Sequence, residues 1–214
     1  MFVSDWMKRT FVTIAPDASI SDAVKLMKDN RIKHIPVVEK EHLKGLISNR
    51  DIREFTPSKA TALDMYELHY LLAKAKVREI MKEKVCFATP DTPIEEAAMI
   101  MYDKDISCLP VLDGDRLVGL ISDKDIFRAL IDITGVRYGG HRIFLDVEDM
   151  PGSIKDVADI VRECGFNLQS ILTSYEKVSQ GFRHIVIRAK GSGQFGNLEA
   201  ELTESFGDVN IKKG

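Results

Sequence analysis

Apolar and polar positions along the first part of the chain follow one pattern that occurs twice. In the first copy, a β-type run at 11–14 is followed by apolar residues that recur at helical spacing from Ile20 to Met27. Two further apolar runs, 34–38 and 43–47, flank a polar turn and predict a hairpin, and a second helix is expected to begin just after Ser48. Each copy is therefore predicted to fold in the order β-α-β-β-α.

The two copies align without a gap at a constant offset of 74 residues. When residues 6–55 are written above 80–129, 18 of the 50 positions are identical. The densest match pairs 45–52 with 119–126, where both copies read Gly-Leu-Ile-Ser-x-x-Asp-Ile. Because chance would give far fewer identities, we interpret the first part of the chain as an internal tandem repeat. Between the copies, a helix is predicted over 60–76.

The last third of the chain has a different pattern. An alternating run at 142–147 predicts a strand, and apolar residues from Ile154 to Cys164 have helical spacing. Two β-rich runs, a helix that ends at Gly207 and a last short strand follow, at 168–173, 182–189, 198–206 and 209–211. The order β-α-β-β-α-β is the ferredoxin-like arrangement.

Glycine and proline are distributed unevenly, which indicates where the chain divides. Six of the seven prolines precede residue 130, whereas 11 of the 14 glycines lie at 135 or later. We predict an α+β protein whose parts are, in order, a domain at 1–134 (first copy 1–56, helical connector 57–76, second copy 77–134), a glycine-rich linker at 135–141 and a second domain at 142–214.

Composition and charge exclude several classes of partner. The 30 Lys and Arg residues against 33 Asp and Glu give a net charge of −3, and both parts of the chain are close to neutral. Since non-specific binding to nucleic acid needs clustered positive charge, we expect none. No apolar run approaches the ~18 residues of a membrane span, and the first residues lack the pattern of a secretory signal. We expect a cytoplasmic protein that does not contact the membrane.

The chain also lacks the usual patterns of metal sites and enzymes. Cys86, Cys108 and Cys164 are far apart, and no His stands at ligand spacing from them, so we predict small buried thiols in a reducing compartment and no metal. The chain contains no Walker loop, no dinucleotide glycine fingerprint and no recognisable Ser-His-Asp arrangement. We therefore predict that it is not an enzyme and has no catalytic residues or cofactor.

The repeated Ser-x-x-Asp, at Ser48 and Asp51 and again at Ser122 and Asp125, has two interpretations. It could be a capping box that only starts a helix. It could also bind a ligand, because a helix N-terminus attracts phosphate and a carboxylate suits ribose hydroxyls. The motif alone favours the capping box, and its repetition within a longer repeated pattern strengthens the second interpretation.

These repeats resemble paired cystathionine-β-synthase (CBS) motifs, which together form a Bateman module. The resemblance depends on Thr13-Ile14-Ala15-Pro16, on His34-Ile35-Pro36-Val37, on the 45–51 motif and on their counterparts 74 residues later. It implies two motifs packed about a pseudo-twofold axis, with two clefts that bind adenosine-containing ligands as regulators.

Residues used by that family are carried over by position. The ribose and phosphate contacts implied are Asp51, Asp125, Ser48 and Ser122. Backbone groups for the adenine edge would come from Thr13, Ile14, Ala15, Phe87, Ala88 and Thr89, and apolar walls from Ile35, Pro36, Leu109 and Pro110. Arg50 and Lys124 are candidates to neutralise phosphate, with solvated surface charge as the alternative, and His34 is either a ligand contact or a packed residue.

The C-terminal third resembles an ACT domain. The resemblance depends on Asp149-Met150-Pro151-Gly152 between the first strand and helix, and on Gly165-Phe166-Asn167 before the second strand. It implies pairing through sheets and an amino-acid effector site in which Asp149, Gly152 and Asn167 take part. Alternatively, 149–152 is only a turn with helix-start chemistry.

Two CBS motifs followed by an ACT domain are similar to the acetoin-utilisation protein family, whose members are regarded as regulators. We therefore expect a non-enzymatic homodimer that senses adenine nucleotide (AMP, ADP or ATP) or S-adenosylmethionine and acts on a partner protein. The alternative is a structural or protein-interaction module without nucleotide binding, and an enzyme is the least favoured hypothesis.

Overall fold

Each repeat is built around one amphipathic helix packed on one hairpin. The computed structural model describes residues 1–56 and 65–213. Its contacts divide the chain into two compact units, Met1–Ile126 and Phe127–Gly214. In the first unit the elements of the first repeat are α1 (Val3–Trp6), α2 (Ile20–Asn30), β1 (His34–Glu39), β2 (His42–Ser48) and α3 (Asn49–Phe55). Then come α4 (Met65–Lys74), a 3-10 turn (Val77–Glu79), α5 (Ile94–Asp103), β3 (Cys108–Asp113), β4 (Arg116–Ser122) and α6 (Asp123–Ile133).

The predicted helices and hairpins of both repeats are present, but the leading strand is not. The run at 11–14 forms only a single parallel bridge between Ile14 and Val37, and Ala88 bridges Val111 in the same way. The connector is helical over Met65–Lys74. The part of the predicted connector at 57–64 lies outside the described residues. A short helix, α1, precedes the first repeat and was not predicted from the pattern.

The two hairpins join into one four-stranded antiparallel sheet of order β1-β2-β4-β3. Both hairpins are irregular at the same place, between Val37 and Val38 and between Val111 and Leu112, which are 74 residues apart. Between the hairpins, the register pairs His42 of β2 with Arg116 of β4. The sheet is therefore a pair of near-identical halves in contact at their inner strands.

The segment that precedes each repeat packs against the other repeat. At the N-terminus, the Val3 N–H donates to the carbonyl of Thr92, and Lys8 forms an antiparallel bridge with Leu120. After the connector, the Val77 N–H donates to the carbonyl of Ala18. We call residues 1–12 and 76–86 the leading segments. Each leading segment passes along the last strand of the opposite hairpin, so the repeats are interlocked.

Two glycines allow the leading segments to approach the strands. A Cβ atom on Gly45 of β2 would lie 2.6 Å from the carbonyl oxygen of Lys82. That oxygen accepts a hydrogen bond from the Leu46 N–H, and the Lys82 N–H donates to the Leu46 carbonyl. On Gly119 of β4, a Cβ atom would lie 2.6 Å from the Met7 sulfur and 3.1 Å from the Lys8 carbonyl oxygen. A side chain at either position would therefore push the leading segment away from its strand.

The C-terminal unit has the predicted β-α-β-β-α-β order. Its elements are β5 (His141–Glu148), α7 (Ser153–Glu163), β6 (Phe166–Ser174), β7 (Phe182–Gly191), α8 (Phe195–Phe206) and β8 (Val209–Lys213). The strands form an antiparallel sheet of order β6-β7-β5-β8, the ferredoxin-like order. Alternate residues of β5 and β7, such as Ile143, Leu145, Ile185 and Ile187, pack with Val157 and Leu198 of the helices to form the core.

A buried arginine holds the glycine-rich stretch before β5. The chain there contains a 3-10 turn, Val136–Tyr138. Arg188 of β7 is only 5% exposed, and its guanidinium donates to the carbonyl oxygens of Thr134, at 3.0 Å, and Gly139, at 3.2 Å. The Ser170 hydroxyl also donates to Thr134. The stretch predicted as a linker therefore has fixed contacts with the C-terminal sheet.

The described residues contain no helix with the length and apolar character needed to cross a bilayer. Within the same residues, no group of three or more His, Cys, Asp or Glu side chains is arranged to hold a metal ion.

The two glycines predict an asymmetric response to the same substitution. We expect Gly45→Ala to destabilise the protein by about 1–3 kcal/mol, because its Cβ would overlap a backbone oxygen. Gly119→Ala is expected to cost less, because the nearest atom belongs to the flexible Met7 side chain. Urea unfolding of both variants measures the difference, and equal losses would contradict the proposed backbone contact at Gly45.

Candidate functional site

The first unit contains two clefts, and each is built from both repeats. Cleft 1 lies between the β2–α3 junction of the first repeat, at Ser48 and Asp51, and the second leading segment, at 82–86. Cleft 2 lies between the β4–α6 junction, at Ser122 and Asp125, and the first leading segment, at 8–12. The interlocking of the repeats therefore creates the clefts. Their volumes are about 340 and 390 Å³.

A buried carboxylate stands at the same place in each cleft. Asp51 is 7% exposed and Asp125 is 3% exposed. The Oδ2 atom of Asp51 accepts hydrogen bonds from the Ser48 N–H at 2.7 Å and from the Ser48 hydroxyl at 2.5 Å. Ser122 makes the same two bonds to Asp125, at 3.0 and 2.6 Å. The first motif is a complete capping box, because the Asp51 N–H also donates to the Ser48 hydroxyl at 3.3 Å. In both motifs the bonds from the serine fix the carboxylate in its cleft.

The second oxygen of Asp51 lies on the side of the opposite leading segment. Its Oδ1 atom is 3.7 Å from the ammonium group of Lys82, whose side chain is 61% exposed. At this distance the ion pair is loose, and a polar ligand group could come between the two. Asp51 therefore offers an acceptor oxygen of fixed position beside a mobile cation.

Both clefts have more cationic than anionic side chains. Cleft 1 has five cations, Lys33, Arg50, Arg53, Lys82 and Lys84, against Asp51 and Asp105. Cleft 2 has four, Lys8, Arg31, Lys33 and Lys124, against Asp123 and Asp125. A chain that is near neutral overall thus concentrates positive charge at two sites, which favours anionic ligands there.

His34 lies in the wall that the clefts share. Together with Lys33, Ser107 and Cys108 it lines both clefts. Its Nε2 atom is 3.3 Å from the Ser107 hydroxyl, so the pair bridges the two repeats. Burial lowers the pKa of His34, while the carboxylates of Asp123 and Asp51 act in the opposite direction. His34 is thus partly buried and lines both clefts, and a contact between His34 and a ligand stays a prediction.

Cys108, which also belongs to this shared wall, has a thiol with little reactivity. Cys108 is 5% exposed, and burial raises its pKa to about 12. Cys86, in contrast, is exposed and lines cleft 1. The prediction that all three cysteines are buried is therefore wrong for Cys86, which stands on the leading segment rather than in the core.

The structure brings only some of the predicted site residues into the clefts. Those that line a cleft are His34, Ser48, Arg50, Asp51, Ser122, Lys124 and Asp125. The backbone of Ile14 bonds to Pro36 and Val38, and that of Ala88 bonds to Pro110 and Leu112, so these groups are engaged in the sheet. None of the segments Thr13–Ala15 and Phe87–Thr89 lines either cleft.

The predicted apolar walls also lie elsewhere. Ile35 and Leu109 are fully buried, since their side chains point into the core from the middle of the hairpins, and neither Pro36 nor Pro110 lines a cleft. Leu46 of β2 and Leu120 of β4 line clefts 1 and 2. The other apolar groups of the clefts lie mainly on the leading segments and on the turn before each hairpin: Phe11, Val12 and Ile32 in cleft 2, and Val85, Cys86 and Ile106 in cleft 1.

The cations of the clefts are only partly free to act. The Arg50 guanidinium is 2.9 Å from Glu54 and 3.7 Å from Asp105, and these carboxylates raise its pKa. Arg50 is thus held at the rim of cleft 1. Lys82 and Lys84 line the same cleft and were not predicted, because the interlocking of the repeats leaves no local signal. Arg53, two residues after Asp51, lines it as well.

The residues predicted for an effector site in the C-terminal unit do not meet within one chain. Asp149 follows the end of β5 and lies 3.3 Å from the Arg183 guanidinium, and Gly152 has a φ of +100° just before α7. Asn167 pairs with Lys190 at the opposite end of the sheet, where β5 begins. Because β5 and β6 are both antiparallel to β7, Gly152 and Asn167 lie at opposite ends of the sheet.

Comparison with curated proteins finds relatives of different lengths. A homoserine O-acetyltransferase of Methanohalobium evestigatum is 39% identical over 131 residues, which is 60% of this chain. The match covers only 24% of that protein, so this chain spans about a quarter of the acetyltransferase. The CBS domain-containing protein YhcV of Bacillus subtilis is 30% identical over 124 residues, covering 58% of this chain and 81% of that protein.

The same fold occurs in solved structures, one of which is a complex with adenosine derivatives. The CBS domain pair of protein MJ0100, in complex with 5′-methylthioadenosine and S-adenosyl-L-methionine, is 28% identical and matches with a TM-score of 0.52 over 61% of this chain and 95% of that one. A putative acetoin utilization protein (AcuB) from Vibrio cholerae is also 28% identical, with a TM-score of 0.53 over 64% of this chain and 96% of that one.

The family model described as CBS domain matches two ranges of the chain, 3–57 and 77–132. Together these ranges cover the two interlocked repeats with their leading segments, which form both clefts. The chain therefore belongs to the CBS domain family.

Proposed function

We propose that this protein is a non-enzymatic regulator that binds adenosine-containing nucleotides in its two clefts. The observation that carries the proposal is the buried carboxylate that a capping box fixes in each cation-lined cleft. A carboxylate of fixed position can accept hydrogen bonds from the two adjacent hydroxyls of a ribose, as the acidic residue of dinucleotide-binding folds does. The ligands named for the MJ0100 domain pair, both adenosine derivatives, support this assignment.

The rest of each cleft fits the other parts of such a ligand. Apolar side chains of the leading segments, such as Val12 and Val85, can cover a base, and the lysines at 8 and 82 can pair with phosphate. The helix α3 has only seven residues, so the cationic side chains rather than its N-terminus supply the attraction in cleft 1. Binding residues from both repeats would make ligand occupancy sensitive to how the repeats are arranged.

For the C-terminal unit we propose an ACT-like role in pairing two copies of the chain. Its ferredoxin-like sheet ends in the edge strand β6, nine residues long, whose outer backbone groups can pair with a second sheet. Asp149 and Asn167 lie at opposite ends of this sheet, so an amino-acid effector site would need residues from both copies. By analogy with the similar AcuB structure, regulation of acetoin or acetyl-group metabolism through a partner protein is the setting we propose.

One observation favours the alternative of an interaction module without a ligand. The capping box at Ser48 is complete, and Ser122 donates the corresponding bonds to Asp125, so helix initiation alone explains the spacing that recurs in the two repeats. Another capping box, Ser19 with Asp22 at the start of α2, lies outside both clefts. It therefore provides a matched control for the loss of a cap without the loss of a cleft carboxylate.

We expect Asp51→Asn combined with Asp125→Asn to weaken nucleotide binding by about 10- to 100-fold, the effect of losing hydrogen bonds to a charged acceptor. The experiment is calorimetric titration of ATP, ADP, AMP and S-adenosylmethionine into the full chain. Asp22→Asn should leave the affinities unchanged, since it alters only the cap of α2. If no ligand binds the unmodified protein, or if the double variant binds as well as the control, the proposal is overturned in favour of the interaction module.

Cys86 provides a direct reporter of cleft 1. We expect iodoacetamide at pH 8 to modify Cys86, which is exposed, and to spare Cys108, whose buried thiol has a pKa of about 12. Nucleotide bound in cleft 1 should slow modification of Cys86 by covering it. Peptide mass spectrometry measures each site separately, and an unchanged rate at saturating nucleotide would place the ligand outside cleft 1.

Pairing through the C-terminal unit predicts a dimer in the absence of nucleotide. Sedimentation equilibrium of the full chain should give twice the 24.1 kDa mass of the monomer. Ile171 packs against the core of this unit, so its substitution would disturb folding. Leu172, the next residue of β6, is on the opposite face of the strand, and we expect Leu172→Lys to shift the equilibrium toward monomer. A monomer at all concentrations would rule out this role.

A further inference from the structure

The two clefts can be compared position by position, because each lining residue has a counterpart 74 residues away. The pairs Ser48 with Ser122, Asp51 with Asp125, and Lys82 with Lys8 are identical in type. Leu46 with Leu120 and Ile106 with Ile32 are identical as well, the first of each pair lining cleft 1 and the second lining cleft 2. Because so many lining residues are the same in both clefts, the residues that differ are the ones that would give the clefts different ligand preferences.

The first difference lies next to the capping serine. Cleft 1 has the neutral Asn49 there, and cleft 2 has the anionic Asp123. The Oδ1 atom of Asp123 accepts a hydrogen bond from the Lys124 N–H at 2.7 Å. One backbone amide in the first turn of α6 is therefore already hydrogen-bonded to this carboxylate. A phosphate at this place in cleft 2 would compete for the amide and meet a like charge.

Two further differences add positive charge to cleft 1. On the leading segments, Lys84 of cleft 1 corresponds to the uncharged Thr10 of cleft 2. On the helices, Arg53 lines cleft 1, whereas the counterpart position, 127, holds Phe. Both cations are exposed, and the Arg53 Nε donates to the Asn49 carbonyl at 3.3 Å, at the end of α3 next to the capping serine. Their charged groups can therefore turn toward a ligand.

One difference has the opposite sign and is confined to the rim. Asp105 in cleft 1 corresponds to Arg31 in cleft 2. Asp105 has a side chain that is 97% exposed, and it lies 3.7 Å from Arg50. Because Asp105 pairs with an exposed cation and is surrounded by water, it reduces the positive electrostatic potential inside cleft 1 only a little.

We propose that the clefts are selective for different charge states of an adenosine ligand. Cleft 1 takes a polyphosphate nucleotide, held by Lys82, Lys84 and Arg53. Cleft 2 takes an adenosine ligand with fewer phosphates, such as a monophosphate, because further phosphates would meet the like charge of Asp123 beside the capping serine. The inference rests on the proposed function, and it assigns Asp123 as the residue that determines the specificity of cleft 2.

Reporters at matched positions can test each cleft by itself. Cys86 reports cleft 1, and its counterpart in cleft 2 is Val12, which is partly exposed. The protein with Val12→Cys and Cys86→Ser therefore carries the same reporter in cleft 2. Iodoacetamide modification is followed by peptide mass spectrometry at increasing concentrations of ATP, AMP, adenosine and S-adenosylmethionine.

We expect ATP to protect Cys86 at lower concentration than AMP does, and the reverse order for the thiol introduced by Val12→Cys. Adding Asp123→Asn should lower the ATP concentration that protects cleft 2 on the order of tenfold, since it removes one like charge. Asn49→Asp should raise the ATP concentration that protects cleft 1 by a similar factor. Asp115→Asn, in the exposed β3–β4 turn outside both clefts, should change neither.

The outcomes separate this inference from the function on which it rests. If ATP protects both reporters at the same concentration and Asp123→Asn has no effect, the selectivity is overturned while nucleotide binding stands. If none of the four ligands protects either reporter, the proposed function fails and the selectivity fails with it.

Discussion

The close contact between each leading segment and the opposite hairpin is the constraint on which the first unit depends. At Gly45, the backbone of Lys82 approaches so closely that a Cβ atom has no room, and Lys8 and Met7 approach Gly119 in the same way. This contact places cations and apolar side chains of one repeat opposite the Ser-x-x-Asp of the other. Without it, Asp51 and Asp125 would be ordinary helix caps on the surface of a hairpin rather than the buried centres of two clefts.

In each cleft, the helix cap and the proposed binding site use the same aspartate side chain. In each cleft, Oδ2 of the aspartate satisfies the serine N–H and hydroxyl, which stabilises the start of the helix. The cost of burying the carboxylate is thereby offset by hydrogen bonds before any ligand arrives. Because the cap fixes the side chain, a ligand would not have to order it, and preorganisation of this kind favours affinity.

Sequence reasoning was most successful where the signal is local. The helices α2 and α5, the hairpins and the ferredoxin-like order all follow from apolar spacing and turns within about ten residues, and the 74-residue offset identified the repeat. The cleft walls could not be predicted in this way, because Phe11, Val12, Val85 and Cys86 acquire their place from pairing with a distant strand. The same applies to Asn167, whose separation from Gly152 depends on strand directions rather than on any motif.

The interlocking also determines the order in which the chain can reach its native contacts. Phe2 bridges Pro93, and Lys8 bridges Leu120, so residues of the first leading segment pair with partners that are synthesised about a hundred positions later. Contacts of such long sequence separation slow folding, because the entropy of closing the loop is lost before the contact forms. The second leading segment can pair as soon as it is synthesised, because its partner Leu46 precedes Lys82 in the chain. During synthesis, the first hairpin can thus pair with the second leading segment early, while the first leading segment stays unpaired until the second repeat is complete.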